Sequence, residues 1–104
     1  MTNIPAEAAA RATDLRRLID RANRAYYELD APEGQSFADY RDIDGVRVIL
    51  HVETPHEARG RGYASKLMRH VVDEARTTNR RLRASCAFAV AYFRRHPDAQ
   101  DVHA

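Results

Sequence analysis

The chain has 104 residues, a formal net charge of +2 and a single cysteine, and 44% of its residues are hydrophobic while 31% are charged. Its length favours one domain with a modest core, and its composition is that of an ordinary globular protein. Because the sequence has no apolar run of about 18 residues and no signal-peptide pattern in residues 1–15, we expect a cytoplasmic protein without a membrane partner, and the lone Cys86 excludes an intrachain disulfide.

The first predicted element is an N-terminal helix over residues 6–22. Its apolar side chains recur with the spacing of one helical face: Leu15, Leu18, Ile19 and Ala22. The segment before this face is rich in alanine and carries no further pattern. We therefore expect residues 1–19 to be an N-terminal extension, partly helical or disordered, and residues 20–104 to form the folded domain.

Three short strands are predicted next: Ala25–Leu29, Ser36–Arg41 and Val46–Thr54. The turns between them have hairpin length, so the three strands are expected to be antiparallel. Strict alternation in the third strand predicts two faces. One face would carry Val46, Val48, Leu50 and Val52, and the other would carry Arg47, Ile49, His51 and Glu53. Pro55 cannot donate to a strand ladder and is expected to end the strand.

The clearest helical pattern follows a turn that contains two glycines. Its apolar positions are Ala64, Leu67, Met68, Val71, Val72 and Ala75. Leu82–Cys86 is then predicted as a fourth strand and Ala87–His96 as a second short helix, which Pro97 ends. The whole pattern predicts an α+β fold with a mixed, mostly antiparallel sheet of about four strands packed with helices, plus the N-terminal helix. The third and fourth strands are expected to be parallel, because a helix connects them.

The turn before this helix contains two of the four glycines in the chain, Gly60 and Gly62, and each follows an arginine. A helix N-terminus carries unpaired N–H groups and a partial positive charge, and glycine lets the backbone approach a phosphate closely. The alternative is an ordinary tight turn with solvated arginines, and the spacing alone does not decide between them. The spacing differs from that of the P-loop and of the dinucleotide-binding fingerprint.

Arg59 to Ala64, R-G-R-G-Y-A, resembles the acyl-CoA signature [Q/R]-x-x-G-x-[G/A] of the GNAT N-acyltransferases, with Arg59, Gly62 and Ala64 at its fixed positions. Three further motifs are similar to those of a small, single-domain GNAT-like subgroup: H-V-E-T-P at 51–55, the lone cysteine in S-C-A-F at 85–88, and R-R-H-P at 94–97. The resemblance covers roughly residues 20–102. The sequence departs from the subgroup at Ala87, where the subgroup has a proline.

The resemblance implies a GNAT-like compact domain that uses acetyl-CoA as cosubstrate and no metal. The pyrophosphate of CoA would bind the N–H groups from about Gly60 to Ala64, and its pantetheine arm would lie between the third and fourth strands. The implied CoA-binding residues are Val52, Thr54, Arg59, Gly60, Arg61, Gly62, Tyr63, Ala64 and Ser65.

Four residues are candidates for the chemistry. Acylation of an amine requires a base, and we prefer His51 to Glu53 because a histidine is largely neutral at pH 7. Cys86 is a contact to the CoA sulfur, a nucleophile or only a packed side chain. The resemblance implies that Tyr92 protonates the departing thiolate, as a tyrosine in the corresponding helix does in many GNAT enzymes. The alternative for His51 and Tyr92 is a packed side chain.

Three functions compete. The first is an N-acetyltransferase that acts directly on a primary amine of a small molecule or a protein, as a monomer or weak dimer. A cationic acceptor is favoured because residues 25–57 contain eight carboxylates and two arginines.

The second is an acyl-CoA-binding module with little or no transferase activity. The third, nucleic-acid binding through residues 76–83, is disfavoured because no aromatic side chain lies between Tyr63 and Phe88 to stack on bases. No paired ligand spacing predicts a zinc site.

Overall fold

A computed structural model describes residues 15–19 and 24–104. Five strands form one sheet in the order β1-β2-β3-β4-β5: β1 is Leu15–Ile19, β2 Ala25–Ala31, β3 Gly34–Ile43, β4 Val46–Glu53 and β5 Arg81–Ala84. The first four strands are antiparallel, and β5 is parallel to β4. Helix α1, Tyr63–Thr77, connects β4 to β5, and helix α2, Ala87–Arg95, follows β5. The predicted α+β class and the mixed sheet are confirmed.

The predicted N-terminal helix is wrong over residues 15–19, which form strand β1, and the sheet therefore has five strands instead of about four. The rest of the predicted helix lies outside the described residues. Leu15 and Ile19 satisfy a helical spacing, but they also pair with Leu29 and Ala25 of β2. This pairing occupies the edge of β2, whose backbone N–H and C=O groups would otherwise lack partners. Residues on both sides of the predicted domain boundary at 19/20 are thus hydrogen-bonded to each other.

Both helices cover the same face of the sheet. Their buried side chains share one hydrophobic cluster with strand residues: Tyr27, Leu29, Ala38, Tyr40, Ile49 and Leu82 from the sheet, Leu67, Met68, Val71, Val72 and Ala75 from α1, and Ala89, Tyr92 and Phe93 from α2. We call this side the helix-covered face and the other side the open face. After α2, residues Val102 to Ala104 run beside β5, where His103 pairs with Leu82. Neither helix in the described part of the chain is long and apolar enough to cross a membrane.

Strand β4 contains a bulge at Leu50. Tyr40 of β3 pairs with Ile49 and Asp39 pairs with His51, so Leu50 has no partner in β3. A bulge adds one residue to a strand and interrupts its alternation. The predicted faces of this strand are therefore wrong beyond Ile49. Ile49 and Val52 pack on the helix-covered face, whereas the partners of His51 and Glu53, which are Asp39 and Phe37, alternate with buried Ala38 and lie on the open face.

The end of the sheet away from the bulge is held by a buried arginine. Arg47 is 4% exposed, and its guanidinium donates to both carboxylate oxygens of Asp42 at 2.7 and 2.9 Å and to the Tyr27 hydroxyl at 2.9 Å. Tyr27 in turn donates to Glu74 of α1 at 2.8 Å. The Arg47 guanidinium lowers the pKa of Asp42, and burial raises the pKa of Tyr27. This network ties β2, β4 and α1 together, because each polar group in it has a partner.

Candidate functional site

A cleft opens where β5 stops pairing with β4. The two strands pair from Val46 and Arg81 to Ile49 and Ala84, and the last bond between them runs from the Ser85 N–H to the Ile49 carbonyl at 2.9 Å. Strand β4 continues to Glu53, whereas the other chain turns into α2. The residues Leu50 to Glu53 therefore have no ladder partner on the β5 side among the described residues. The resulting cleft has a volume of about 510 Å³ and is lined by His51, Val52, Glu53, Thr54, Arg59, Ala64 and Phe88.

The glycine turn forms one wall of this region. Gly60 and Gly62 have φ values of 80° and 82°, which side chains other than glycine rarely adopt, and the space beside each is empty within 4 Å. Gly62 immediately precedes α1, and no side chain of the described residues caps that helix end. The first bond within the helix runs from the Lys66 N–H to the Gly62 carbonyl at 3.0 Å, so the preceding N–H groups point out of the helix. This turn can accept an anion.

Eight of the nine predicted CoA-binding residues line the cleft or an adjoining cavity of about 190 Å³. Those eight are Val52, Thr54, Arg59, Gly60, Gly62, Tyr63, Ala64 and Ser65. Arg59 also donates from Nε to the Thr54 carbonyl at 3.3 Å, which ties the glycine turn to the end of β4. The structure thus brings these eight residues together around two neighbouring cavities that share Thr54, Arg59, Ala64 and Phe88 in their lining.

Arg61, the ninth residue, lies against Glu33 instead. Its Nε is 3.4 Å from Glu33 Oε2, while the other carboxylate oxygen of Glu33 is buried and has no hydrogen-bond partner among the described residues. Glu33 belongs to the turn between β2 and β3. The sequence predicted that turn, but it did not predict the contact between Glu33 and Arg61. A carboxylate therefore already compensates one of the cationic side chains of the glycine turn.

His51 and Glu53 meet at the open side of the cleft. His51 Nε2 lies 3.2 Å from Glu53 Oε1, and the two side chains are 59% and 60% exposed. Both residues also line the cleft, together with Ala64 and Phe88 of the two helices. His51 and Glu53 thus lie on one side of the sheet and the glycine turn on the other, with the cleft between them.

Cys86 lies next to the cleft but not in its lining. Strand β5 ends at Ala84, so Cys86 is not in a strand as predicted; it is the residue that caps the start of α2. Its Sγ accepts a hydrogen bond from the Ala89 N–H at 3.4 Å, and the side chain is half-buried against the core. The predicted catalytic roles of Cys86 stay predictions.

Tyr92 is a core residue that lines a different cavity. Its side chain is 6% exposed, and its ring stacks on His96 at 3.9 Å between ring centres. Burial raises the pKa of the Tyr92 phenol, which therefore stays protonated at neutral pH. In α2 it is Phe88, one turn before Tyr92, that reaches the cleft. In the sequence, Phe88 stands out only as part of the S-C-A-F motif, and no role was predicted for it. The predicted acid role of Tyr92 stays a prediction.

The third cavity, about 890 Å³, lies between α1 and α2. It is lined by Ser65, Lys66, Arg69, His70, Val72, Asp73, Arg76, Tyr92, His96 and Asp98. Arg76 is engaged by Asp101 at 2.6 Å, whereas Lys66 and Arg69 have no ion-pair partner within the described residues. Burial, with the nearby charge of Lys66, lowers the pKa of His70. Ser65 lines both this cavity and the one at the glycine turn.

A metal site is a separate question from these cavities. Among residues 15–19 and 24–104, no group of three or more His, Cys, Asp or Glu side chains is arranged to hold a metal ion. Among the described residues at the cleft, the groups available for chemistry are the side chains of His51 and Glu53 and the backbone N–H groups.

Comparison with known proteins identifies two similarities. A family model described as GCN5-related N-acetyl-transferase matches residues 25–102, about three quarters of the chain. DNA ligases of Stenotrophomonas maltophilia strains K279a and R551-3 are each 49% identical to this chain over 53 residues. That match covers 51% of this chain but only 5% of each ligase, so the chain spans a small fraction of the curated relatives it matches. The shared segment is too small a part of the ligases to carry their activity to this chain.

Proposed function

Because the chain belongs to the GCN5-related N-acetyltransferase family, we propose that it transfers an acetyl group from acetyl-CoA directly to a primary amine. One observation carries this proposal: the cleft between β4 and β5 adjoins an uncapped helix end with two glycines at positive φ. A thioester arm and its pyrophosphate require these two features side by side, an extended groove and an anion cradle.

The cavities support a path for the whole of acetyl-CoA. In this proposal the pyrophosphate accepts hydrogen bonds from the N–H groups near Gly62, where helix dipole and backbone favour an anion. The pantetheine arm runs along Val52 near the end of β4 and Thr54 just after it, where β4 has no ladder partner on the β5 side among the described residues. The nucleotide enters the cavity between the helices, where Lys66 and Arg69 provide positive charge. Shared lining residues support such a path: the cleft and the adjoining cavity have Thr54, Arg59, Ala64 and Phe88 in common, and Ser65 lines both that cavity and the one between the helices.

The chemical step then follows from the groups at the mouth of the cleft. The lone pair of the neutral amine attacks the thioester carbonyl carbon, the N–C bond forms, and the C–S bond breaks. The amine proton passes to His51, directly or through water, and Glu53 at 3.2 Å stabilises the imidazolium that results. The CoA thiolate takes up a proton from water and the His51 imidazolium releases its proton to water, so the products are an amide and free CoA with His51 neutral again. Tyr92 and Cys86 are not required for this balance.

The second candidate function is an acyl-CoA-binding module without transfer activity. The observation that favours it is the exposure of His51 and Glu53, which are 59% and 60% exposed and lie in no enclosed acceptor pocket of the described residues. Catalytic groups normally act in sites that exclude water. This candidate shares the CoA site with the first and differs only in the fate of the acyl group.

Two measurements test the proposal. Acetyl-CoA at 100 times its Kd should stabilise the fold by about 2.7 kcal/mol, which raises the Tm of a domain of this size by roughly 10–20 °C. Amine-dependent release of the CoA thiol should follow when a panel of primary amines is added. A thermal shift without thiol release would favour the binding module. No shift with either acetyl-CoA or CoA would refute both candidates.

A further inference from the structure

A row of two arginines lies on the open face near the cleft. Val48 of β4 pairs with Arg41 of β3 on one side and with Arg83 of β5 on the other. Paired residues share a face, and Val48 alternates with Ile49 of the helix-covered face, so all three point to the open face. Strands lie about 4.8 Å apart, which puts the two arginine backbones roughly 10 Å from each other. Val48 is 7% exposed between their long side chains.

These two arginines differ from others on the same face. Arg16 pairs with Glu28 and Asp30, and Arg24 pairs with Asp39 at 2.7 Å. Within the described part of the chain, neither Arg41 nor Arg83 has a carboxylate partner. The open face thus presents uncompensated positive charge beside β4, although the surrounding segment of sequence is acidic.

The arginine row is close to the proton acceptor of the proposed reaction. Arg41 lies two residues from Asp39, which pairs with His51, and this separation is about 7 Å along a strand. Glu53 continues the same line on the open face. A molecule bound here therefore meets a carboxylate and an imidazole at one end and two guanidinium groups at the other. The matching ligand has an amine and an anionic group about 7 Å apart.

The openness of this face indicates the size of the ligand. Small-molecule sites bury most of the ligand surface in a concave pocket. His51 and Glu53 are each more than half exposed, and no helix of residues 15–19 and 24–104 covers the face on which they lie. The protein does not enclose an acceptor on such an open face, so the acceptor itself must be large enough to provide the contact surface. An extended polypeptide does so, and its residues i and i+2 lie on one side about 7 Å apart.

We propose that the acceptor is a lysine side chain in an extended polypeptide segment, and that Arg41 and Arg83 select a carboxylate two residues from that lysine. The inference rests on the proposed function, because it uses the same cleft. Arginine presents a planar fork of donors that matches a carboxylate, which gives the row its selectivity. The lysine amine then reaches the cleft from the side opposite the glycine turn, so acceptor and CoA do not compete for space.

The test compares two peptides that differ only beside their single lysine. One has Glu at positions −2 and +2, and the other has Arg there. Two partly exposed charge pairs should give the acidic peptide a kcat/KM roughly 3- to 30-fold higher, with free lysine amide slower than the acidic peptide. The double variant Arg41→Glu/Arg83→Glu should reverse the preference. The double variant Arg94→Glu/Arg95→Glu, at two exposed positions of α2, changes the net charge by the same amount and should leave the ratio of the two kcat/KM values unchanged.

Each outcome has a distinct meaning. Equal rates for both peptides, or a preference that survives the double variant, would overturn this inference and leave the proposed transferase function standing. A small amine that outperforms both peptides would overturn it as well. Absence of transfer to every amine, with acetyl-CoA bound, would refute the proposed function and this inference together. The ratio of rates is the readout because a change in CoA binding alters both peptides equally.

Discussion

Both halves of β4 form β-strand, but they have different roles. Val46–Ile49 is paired on both sides, and it contributes the buried side chains of Arg47 and Ile49. In Leu50–Glu53 only the last three residues pair, and they pair only with β3; the side chains of His51 and Glu53 are exposed. The difference arises from the neighbour, because β5 ends where the second half begins. Stability and chemistry are therefore expected to divide at the bulge.

The sharpest way to test this division is His51→Ala. Removal of a general base should lower kcat by about 10²- to 10⁴-fold. The free energy of unfolding should change by no more than about 0.5 kcal/mol, because the side chain is exposed and packs on nothing in the core. Steady-state release of CoA thiol and urea denaturation measure the two effects. A variant that keeps its kcat would remove His51 from the mechanism.

Ile49→Ala tests the other half of the strand. Ile49 is fully buried in the shared cluster, so truncation should lower the free energy of unfolding by about 2–5 kcal/mol. Acetyl-CoA at saturation should restore part of that loss, because it binds the folded state. Urea denaturation with and without acetyl-CoA gives both values. A loss below 1 kcal/mol would contradict the view that this half anchors the sheet.

Alanine variants of two glycines can separate the cost of backbone strain from the loss of CoA binding. Gly62 and Gly45 share a φ of 82° and have empty space beside them, but only Gly62 lies at the helix end. Alanine at either position should cost about 1–2 kcal/mol of stability, since a left-handed backbone disfavours a Cβ. Only Gly62→Ala should weaken CoA binding, by about tenfold or more, because it disturbs hydrogen bonds to a charged phosphate. Equal Kd values by calorimetry would argue against the anion cradle.

The smallest expected effect concerns acid stability. Arg47 holds the pKa of Asp42 below its unfolded value, so this pair stabilises the fold above about pH 4 and loses that contribution as the pH falls further. Asp42→Asn should lower stability at pH 7 and flatten the decline below pH 4. Asp42 is 43% exposed, which keeps the effect smaller than that of Ile49→Ala. Asp44→Asn controls for the change in net charge. If urea titrations showed that the stability of wild type and of Asp42→Asn falls equally steeply below pH 4, the ion pair between Asp42 and Arg47 would be contradicted.

Local patterns predicted the elements that carry their own periodicity. The apolar positions of α1 gave a helix that the structure has at Tyr63–Thr77, and the run before Pro55 gave a strand at Val46–Glu53. The glycine turn was visible because glycine and arginine alternate there. These features depend on neighbours in sequence, which is why a sequence can reveal them.

Features that depend on distant partners could not be predicted. The segment L-R-R-L-I fits a helical face, and only its pairing with β2 makes it a strand. The bulge was hidden because Leu50 is apolar and completes the alternation that the bulge breaks. Glu33 and Phe88 enter the site through the tertiary fold, from a hairpin turn and from α2. No local signal marks such contacts.

The pairing of Arg61 with Glu33 has a consequence for how an anion enters the glycine turn. A phosphate that binds Arg61 replaces a carboxylate that is already there, so the arginine exchanges one partner for another and its charge is compensated in both states. Such an exchange adds less affinity than a new ion pair, and it makes binding less sensitive to ionic strength. Glu33 therefore competes with any anionic ligand for Arg61.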